Sequence, residues 1–260
     1  MNAIIYAAGR ATRLGIAFAQ QPKILLEIGG RSLLERHVHR LAAAGVRRIT
    51  VVTGHCRQAI ADRLPALARS HGVETVELFN PDFGEGSAVS MLVSLPVIER
   101  AGGPVLLMDG DVLYDSRMLP RLLGSPHPSA LLVDFAYSST DDDPVLVPIR
   151  NDRPFEFLKR WSGEADRVGE SVGFFKLDPA DRPLLEHETH ARATGIGRLD
   201  SMDEILRALV RAGRFGYEDI TGLPWTEIDY PEDIAYAQER VLPALQEDPA
   251  PQPSGRRPGR

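Results

Sequence analysis

Residues 3–15 read AIIYAAGRATRLG and residues 21–23 read QPK, and this stretch decides the fold. Its first five residues are largely apolar, as expected of a short strand buried inside a sheet. Gly9 follows closely, and a glycine lets the backbone turn close to a ligand and expose its amide groups to an anion. Arg13 and Lys23 then place positive charges within reach of phosphate oxygens. The stretch therefore predicts a phosphate-binding loop at the end of the first strand.

The loop matches neither of two common phosphate-binding motifs, GxxxxGK[ST] and GxGxxG. A solvated turn with surface arginines is the alternative interpretation. Lys23 stands directly after Pro22, which fixes the chain direction, and before an apolar stretch. This placement favours a binding role over a surface turn.

The first half of the chain alternates strand and helix patterns. The periodicity predicts strands at 3–7, 48–53, 76–79 and 105–108, and helices at 32–44, 58–70 and 86–100. Pro96 lies in the last turn of the third helix and can end it early. Strands that alternate with helices are typical of a parallel sheet covered on both faces, in which ligands bind at the carboxyl ends of the strands.

From about residue 130 the pattern changes to a run of short strands. We predict strands at 130–134, 145–149, 155–159, 171–176 and 225–229, a polar turn at 138–143, and helices at 200–212 and 231–246. This half is expected to extend the sheet and to shape a second pocket. Residues 247–260 are rich in Pro and Arg and are expected to form a disordered tail.

The composition limits the class of protein. The 260 residues carry 30 basic and 36 acidic side chains, and this net charge of -6 argues against a nucleic-acid partner. Cys56 is the single cysteine, which excludes an internal disulfide and a cysteine zinc site. No apolar run approaches the roughly 20 residues of a membrane span, and the N-terminus lacks the basic segment of a signal peptide. We therefore expect a cytoplasmic protein with no membrane partner.

A second constellation follows the predicted strand at 105–108. Asp109 and Asp111 flank a glycine there, and two carboxylates at a strand end suit a hard divalent cation, normally Mg²⁺, that bridges phosphate oxygens. Capping of the next helix by these acids is the alternative. Asp203 and Glu204 are interpreted instead as the first turn of a helix.

Residues of the predicted phosphate-binding loop resemble the signature of a known family. The segment AAGRATRL at 7–14, with Pro22 and Lys23, resembles the AAGxGxR…PK signature of the nucleotidyltransferases that join a nucleoside triphosphate to a phosphorylated small molecule. The second glycine of that pattern is Ala11 here, and an alanine fits if this position keeps a negative φ. The resemblance covers most of residues 1–240.

The resemblance implies an α/β fold of the glycosyltransferase-A type. This is a Rossmann-like three-layer α/β/α arrangement with a central, mostly parallel mixed sheet and a small β-rich acceptor-binding extension. Residues 1–246 would form one domain. Its nucleotide-binding part would lie at 1–129, and its acceptor-binding part and last metal ligand at 130–246.

The resemblance also implies roles for particular residues. Arg13 and Lys23 would stabilise the α- and β-phosphates and the leaving pyrophosphate. Asp111 would hold Mg²⁺ together with Asp229, the favoured partner, while Glu227 points to the same strand face and could serve instead. The nucleotide would contact the loop, the region of the third helix and the Asp-Gly-Asp turn through Ala7, Ala8, Gly9, Arg10, Ala11, Asn80, Gly86, Ser87, Ser90 and Asp109.

On the acceptor side, the resemblance implies a lysine that binds the acceptor phosphate. Lys159 is favoured over Lys176, with Glu170, Tyr137 and Trp161 beside it. Aromatic rings that converge with acids could hold a quaternary ammonium by cation–π contacts. A single aromatic residue is, however, more often part of a core.

The ending TEIDYPEDIAYA at 226–237 and the compact second half look most like the cytidylyltransferases that act on phosphocholine, inositol phosphate or small phosphonates such as 2-aminoethylphosphonate. The resemblance thus implies a Mg²⁺-dependent enzyme that takes CTP and a small phosphorylated or phosphonate acceptor and releases pyrophosphate. The alternatives are a sugar-1-phosphate or molybdenum-cofactor-type nucleotidyltransferase with another nucleotide, and a catalytically silent nucleotide-binding regulator. The oligomeric state is left open, and a homodimer is one option.

Overall fold

The computed structural model describes residues 1–18, 20–136, 144–194 and 198–246. The predicted turn at 138–143 and the predicted tail at 247–260 lie outside these ranges. The strands are β1 Asn2–Ala7, β2 Glu27–Ile28, β3 Arg31–Ser32, β4 Arg48–Thr53, β5 Glu74–Phe79, β6 Val105–Asp109, β7 Val112–Tyr114, β8 Ser129–Asp134, β9 Leu146–Arg150, β10 Arg153–Pro154, β11 Arg167–Leu177, β12 Phe215–Asp219 and β13 Trp225–Glu227. The α-helices are α1 Leu33–Ala43, α2 Arg57–Ala61, α3 Leu64–His71, α4 Ala88–Glu99, α5 Met118–Leu123, α6 Arg182–Ala193, α7 Met202–Arg211 and α8 Pro231–Tyr236.

One nine-stranded mixed sheet runs through the described part of the chain. Its strands lie in the order β10-β9-β11-β6-β1-β4-β5, and β8 pairs with both β11 and β12. β1 is parallel to β4 and β6, and β4 is parallel to β5. β11 is antiparallel to β6, β8 and β9 and thereby joins the parallel half to the later strands.

Helices cover both faces of this sheet. Along β1, Ala3 and Ile5 belong to one apolar core and Ile4 to the other, as the two-residue period of a strand requires. The first core includes Val38 of α1, and the second includes Leu95 of α4. The arrangement confirms the predicted three-layer α/β/α class.

The sequence signals at the ends of α1 have the predicted effect. The Ser32 hydroxyl accepts the Glu35 amide, and the Ser32 amide donates to the Glu35 carboxylate at 2.7 Å, which completes a capping box. Gly45 follows the helix with φ of +84°, a conformation that a glycine adopts without strain.

Two helix predictions need correction. The segment 58–70 forms α2 and α3 rather than one helix, and Pro65 lies in the first turn of α3, where its missing N–H is tolerated. Pro96 lies inside α4 and does not end it. The helix packs its apolar side chains into the core past Pro96, and Ile98 is fully buried.

Two further segments differ from the sequence prediction. Residues 155–159 are not a strand; β10 precedes them, and they contribute an isolated bridge between Leu158 and Leu146. The last helix begins at Pro231 as predicted but changes to a π-helix at Ala237–Val241. Seven elements have no counterpart in the sequence prediction: α5, α6, β2, β3, β7, β10 and β12. Within the described residues, no helix is long and apolar enough to cross a membrane.

A histidine of α1 lies fully buried in the core beneath the sheet. The His37 ring packs against Tyr114 and Phe174, with ring centroids 5.3 Å and 6.1 Å apart. Burial, and then the nearby Arg40 guanidinium, lower the pKa of His37 to about 3. The imidazole is therefore neutral in the folded protein near pH 7.

This burial predicts a loss of stability in acid. Below pH 6.5 the unfolded chain protonates His37 while the folded chain does not, so the free energy of unfolding should fall by about 1.4 kcal/mol per pH unit between pH 6 and 4 from this residue. Urea unfolding at a series of pH values measures the slope. His37→Phe should make the slope shallower by that amount, and His187→Phe, at an exposed position, should not. An unchanged slope in His37→Phe would contradict the prediction.

Candidate active site

The candidate site lies where β1 and β6 end side by side. The two strands are parallel neighbours, with Tyr6 opposite Asp109 in register. The Gly110 amide donates to the Tyr6 carbonyl at 3.0 Å, and a Cβ on Gly110 would lie only 2.8 Å from that oxygen. A side chain at this position would push the strand ends apart. The glycine therefore keeps the predicted phosphate-binding loop next to Asp109 and Asp111. This loop, residues 8–15, is called the phosphate loop below.

The phosphate loop contains a strained alanine. Ala11 has φ of 54° and ψ of 33°, so the negative φ that was the condition for an alanine to fit here is not present. This left-handed conformation costs a residue with a Cβ about 1 kcal/mol. The Ala11 methyl group is buried, and its carbonyl accepts the Leu14 amide at 3.2 Å. Packing and a turn hydrogen bond thus hold the alanine in a conformation that suits a glycine.

Two adjoining clefts open at these strand ends, with volumes of about 300 Å³ and 290 Å³. The first extends toward the N-termini of α4 and α7 and toward β11. The second extends along the phosphate loop to Lys23. Five residues line both clefts and mark the boundary between them: Tyr6, Gly9, Arg13, Asp111 and Asp229.

A network of ion pairs occupies this boundary. The Lys23 ammonium donates to Asp111 Oδ2 at 3.0 Å and also to Asp229 Oδ1, while Arg13 Nη1 donates to Asp229 Oδ2 at 2.8 Å. Burial alone would lower the pKa of Lys23, but the carboxylates of Asp111 and Asp229 outweigh it and raise that pKa above its ordinary value. The Lys23 side chain is 18% exposed, so water and salt screen these charges less than on an open surface.

Three carboxylates meet beside this network. Asp111, Glu227 and Asp229 each offer an oxygen that lies within 4.8 Å of the other two. Glu227 is exposed to solvent at the edge of the cleft, yet the atoms crowded around its carboxyl and the carboxylates of Asp111 and Asp229 raise its pKa above the ordinary value. Burial and Asp111 likewise raise the pKa of Asp109. A cation would stabilise negative charges at this spacing, and an all-oxygen ligand set suits Mg²⁺, so these residues fit the predicted metal.

Most of the predicted site residues line a cleft. The first cleft contains Ala8, Gly9, Arg13, Ser87, Ser90, Asp109, Asp111, Lys159, Glu170 and Asp229. The second contains Ala7, Gly9, Arg10, Ala11, Arg13, Lys23, Asp111 and Asp229. Lys176, the less favoured lysine, instead donates to the Ser125 carbonyl at 2.9 Å.

Asn80, Gly86 and Trp161 are not among the described residues that line the clefts. Asn80 is fully buried and donates to the Ser90 hydroxyl at 3.0 Å, so it orients a residue that lines the first cleft. Gly86 packs so closely on the backbone at 199–200 that a Cβ would overlap it. Trp161 packs edge-on against another aromatic ring. Tyr137 lies outside the described residues.

The sequence interpretation missed several cleft residues. Asp203 lies in the first turn of α7, as predicted, and also lines the first cleft. The Met202 amide donates to the Ser87 hydroxyl at 2.7 Å and so attaches the start of α7 to the start of α4. Ser171 and Gly173 of β11 line the same cleft. No local motif marks these residues, because their place in the cleft depends on how distant elements pack.

A family comparison now decides the classification. The sequence model of the MobA-like NTP transferase domain matches residues 3–173, more than half of the chain. The chain belongs to this family. The match begins at β1 and ends within β11, so it includes the phosphate loop and the Asp-Gly-Asp turn.

Two curated relatives extend the likeness along the chain. A CMP-5'-(3-aminopropyl)phosphonate synthase from Streptomyces rubellomurinus is 30% identical over 94% of this chain and 39% of its own length. A bifunctional IPC transferase and DIPP synthase from Rubrobacter xylanophilus is 30% identical over 93% of this chain and 52% of its own length. The chain thus spans about half or less of the length of these relatives.

A solved structure shares the fold. The inositol-1-phosphate CTP transferase from T. maritima superimposes with a TM-score of 0.72, covering 92% of this chain and 97% of that chain at 21% sequence identity. At this identity the likeness shows the fold. It supports the three-layer α/β/α architecture described above.

The substitution Lys23→Ala removes the cation shared by Asp111 and Asp229. We expect nucleotidyl transfer to lose about 2–4 kcal/mol of transition-state stabilisation, or roughly 30- to 1000-fold in kcat/KM, measured by pyrophosphate release. Arg48→Ala is the control, since it removes a positive charge from an exposed ion pair with Glu74 at the opposite end of the sheet. An effect restricted to the KM of the acceptor would contradict the placement of Lys23.

Proposed function

We propose that this protein is a Mg²⁺-dependent cytidylyltransferase that transfers CMP from CTP to a small phosphorylated or phosphonate acceptor. The observation that carries the proposal is the meeting of two cations, Arg13 and Lys23, with the carboxylates of Asp111, Glu227 and Asp229 where the two clefts join. Cations favour phosphate groups, and carboxylates favour the divalent ion that accompanies them. A triphosphate that spans both clefts would satisfy both sets of residues.

The reaction is an in-line substitution at phosphorus. An oxygen of the acceptor phosphate or phosphonate forms a bond to the α-phosphorus of CTP. The bond from that phosphorus to the bridging oxygen breaks, and pyrophosphate leaves with the electron pair. The acceptor oxygen is already ionised near pH 7, so the protein needs no general base. Its task is to align the reactants and to neutralise charge.

Particular residues of this chain would carry out that task. Arg13 and Lys23 would hold the α- and β-phosphates and stabilise the negative charge on the leaving pyrophosphate. The second cleft, where Arg10 and the loop backbone lie, has room for the terminal phosphates. Lys159, in the first cleft, would hold the acceptor phosphonate.

Asp111 and Asp229 would hold Mg²⁺, with Glu227 as a third ligand. When bound, the ion would neutralise phosphate oxygens and act as a Lewis acid toward the triphosphate. Lys23 would remain the cation that spaces Asp111 from Asp229. Loss of any of these acids should therefore weaken the binding of Mg²⁺ more than it lowers the stability of the fold.

Two lines of support favour CTP. The Streptomyces relative is named for a CMP product, and the fold neighbour from T. maritima is named for CTP. In this chain, Ser87 and Ser90 bring small hydroxyl groups to the first cleft, and such groups can donate to and accept from the edge of a pyrimidine. The fold alone is compatible with other bases.

The charge of the first cleft supports an acceptor with an amino group. Its lining residues carry two cations, Arg13 and Lys159, against six carboxylates: Asp109, Asp111, Glu170, Asp203, Glu227 and Asp229. Once Asp111, Glu227 and Asp229 are assigned to Mg²⁺, and Asp109 is left out because its pKa is raised, Glu170 and Asp203 still face the cleft. An aminoalkylphosphonate or phosphocholine offers both the anion that Lys159 would bind and a cation that Glu170 would attract.

The first experiment is pyrophosphate release with Mg²⁺, in which CTP, UTP, GTP and ATP are each tested with four acceptors. The acceptors are phosphocholine, 2-aminoethylphosphonate, inositol 1-phosphate and glucose 1-phosphate. We expect release with CTP and an amino-bearing acceptor. Release with another nucleotide and a sugar phosphate would overturn the choice of CTP. Nucleotide binding without release across the panel would favour a catalytically silent regulator.

A second test concerns the acceptor. Glu170→Gln removes one charge at nearly constant shape, and we expect the KM of the amino-bearing acceptor to rise about tenfold while the KM of CTP changes little. Glu164→Gln, at an exposed position, is the matched control and should leave both constants unchanged. Equal effects on both substrates would contradict an acceptor-side role for Glu170.

A further inference from the structure

Strand β11 changes partners within the candidate site. Its residues 167–170 pair with β9, and its residues 174–177 pair with β6. Between these two parts, the pairing of β11 with β8 shifts register between Ser171 and Phe175, which marks a β-bulge. Before the bulge, β11 therefore belongs to the later part of the sheet with β9. After the bulge it lies beside β6, in the parallel part of the sheet that carries the phosphate loop.

Gly173 lies inside this bulge and touches Asp109. Its φ is +77°, which places it in the left-handed region that favours glycine. A Cβ on Gly173 would overlap Asp109 Oδ2 and would lie 2.8 Å from Cγ and 3.1 Å from Cβ of the same side chain. Both residues line the first cleft. The glycine backbone thus forms the surface on which the Asp109 carboxyl rests.

The local hydrogen bonds hold this bulge in place. The Gly173 amide donates to the Ser171 hydroxyl at 3.2 Å, and the Ser171 amide donates to the Val145 carbonyl at 2.8 Å. On the other side of the bulge, Phe174 pairs with Met108, the residue before Asp109. Strand pairing next to the bulge therefore holds Gly173 beside Asp109.

We infer that Gly173 is a positioning residue that sets where the Asp109 carboxyl lies in the first cleft. Because Gly173 has no side chain, β11 can pass close to the end of β6. The backbone of β11 then fixes the position of the Asp109 carboxyl. A side chain at this position would drive Asp109 out of its place in the cleft. The effect on nucleotide binding rests on the function proposed above, whereas the contact itself does not.

The test compares two glycines that both have a positive φ. Gly173→Ala adds a Cβ against Asp109. Gly213→Ala adds a Cβ at φ of +69° with no atom within 4 Å, so it carries the same kind of backbone strain without the overlap. We expect calorimetric binding of CTP with Mg²⁺ to weaken about tenfold in Gly173→Ala and to stay within about twofold of the unaltered protein in Gly213→Ala.

Thermal unfolding of the same variants tests the contact without any ligand. Gly173→Ala should lower Tm more than Gly213→Ala does. Asp109→Ala removes the carboxyl and leaves Cβ at 3.1 Å from the new methyl group, a gap that a small shift relieves. The double variant Asp109→Ala/Gly173→Ala should therefore recover most of the Tm lost in Gly173→Ala, beyond what additivity of the single changes allows.

Each outcome decides the inference. Equal effects of Gly173→Ala and Gly213→Ala, or strictly additive Tm changes, would overturn it. If Gly173→Ala does not fold, recovery of folding in the double variant supports the contact, and failure to recover overturns it. If the unaltered protein does not bind CTP, the proposed function fails while the Tm comparison still decides the role of Gly173.

Discussion

The ion pairs of Lys23 with Asp111 and Asp229 are the interaction on which the rest of the site depends. They join three parts of the chain that are far apart in sequence: the segment after the phosphate loop, the turn after β6 and the segment after β13. Carboxylates at this spacing repel one another, so the cleft needs positive charge between them to keep its shape. The same charges that stabilise the arrangement suit a metal and a triphosphate, which links the stability of the site to its proposed chemistry.

The sheet supplies the distances that this arrangement requires. β1 and β6 are parallel neighbours, so the phosphate loop and the Asp-Gly-Asp turn leave the sheet at the same edge. Gly110 allows the turn after β6 to approach the end of β1 closely, and Gly173 allows β11 to pass beside Asp109. At both positions a side chain would overlap a neighbouring residue. The cleft is therefore shaped by residues without side chains as much as by those that bear charge.

Local signals predicted much of this molecule from the sequence, and their success has physical reasons. Ser32 and Gly45 mark the ends of α1 because capping and left-handed turns depend on neighbouring residues alone. Ala11 shows the limit of such signals. Its identity suggests a negative φ, but the packing of its methyl group and the hydrogen bond to Leu14 hold it at 54°. Asn80 and Trp161 also suit a binding site by residue type, yet the structure places both outside the clefts.

The family resemblance supplied Asp229 as a candidate metal ligand. Local patterns in the sequence indicated the alternation of strands and helices, the loop with Arg13 and Lys23, and Asp111 as a candidate ligand. These features are local, because each depends on a few adjacent residues and on the periodicity of one element. The tertiary structure alone decided that Glu227 joins both acids, that Asp203 faces the cleft, and that Gly173 supports Asp109. Such contacts depend on the pairing of β13 with β7 and on the bulge in β11. Residues more than 60 positions apart in the sequence come into contact there. A pattern of neighbouring residues cannot predict such contacts.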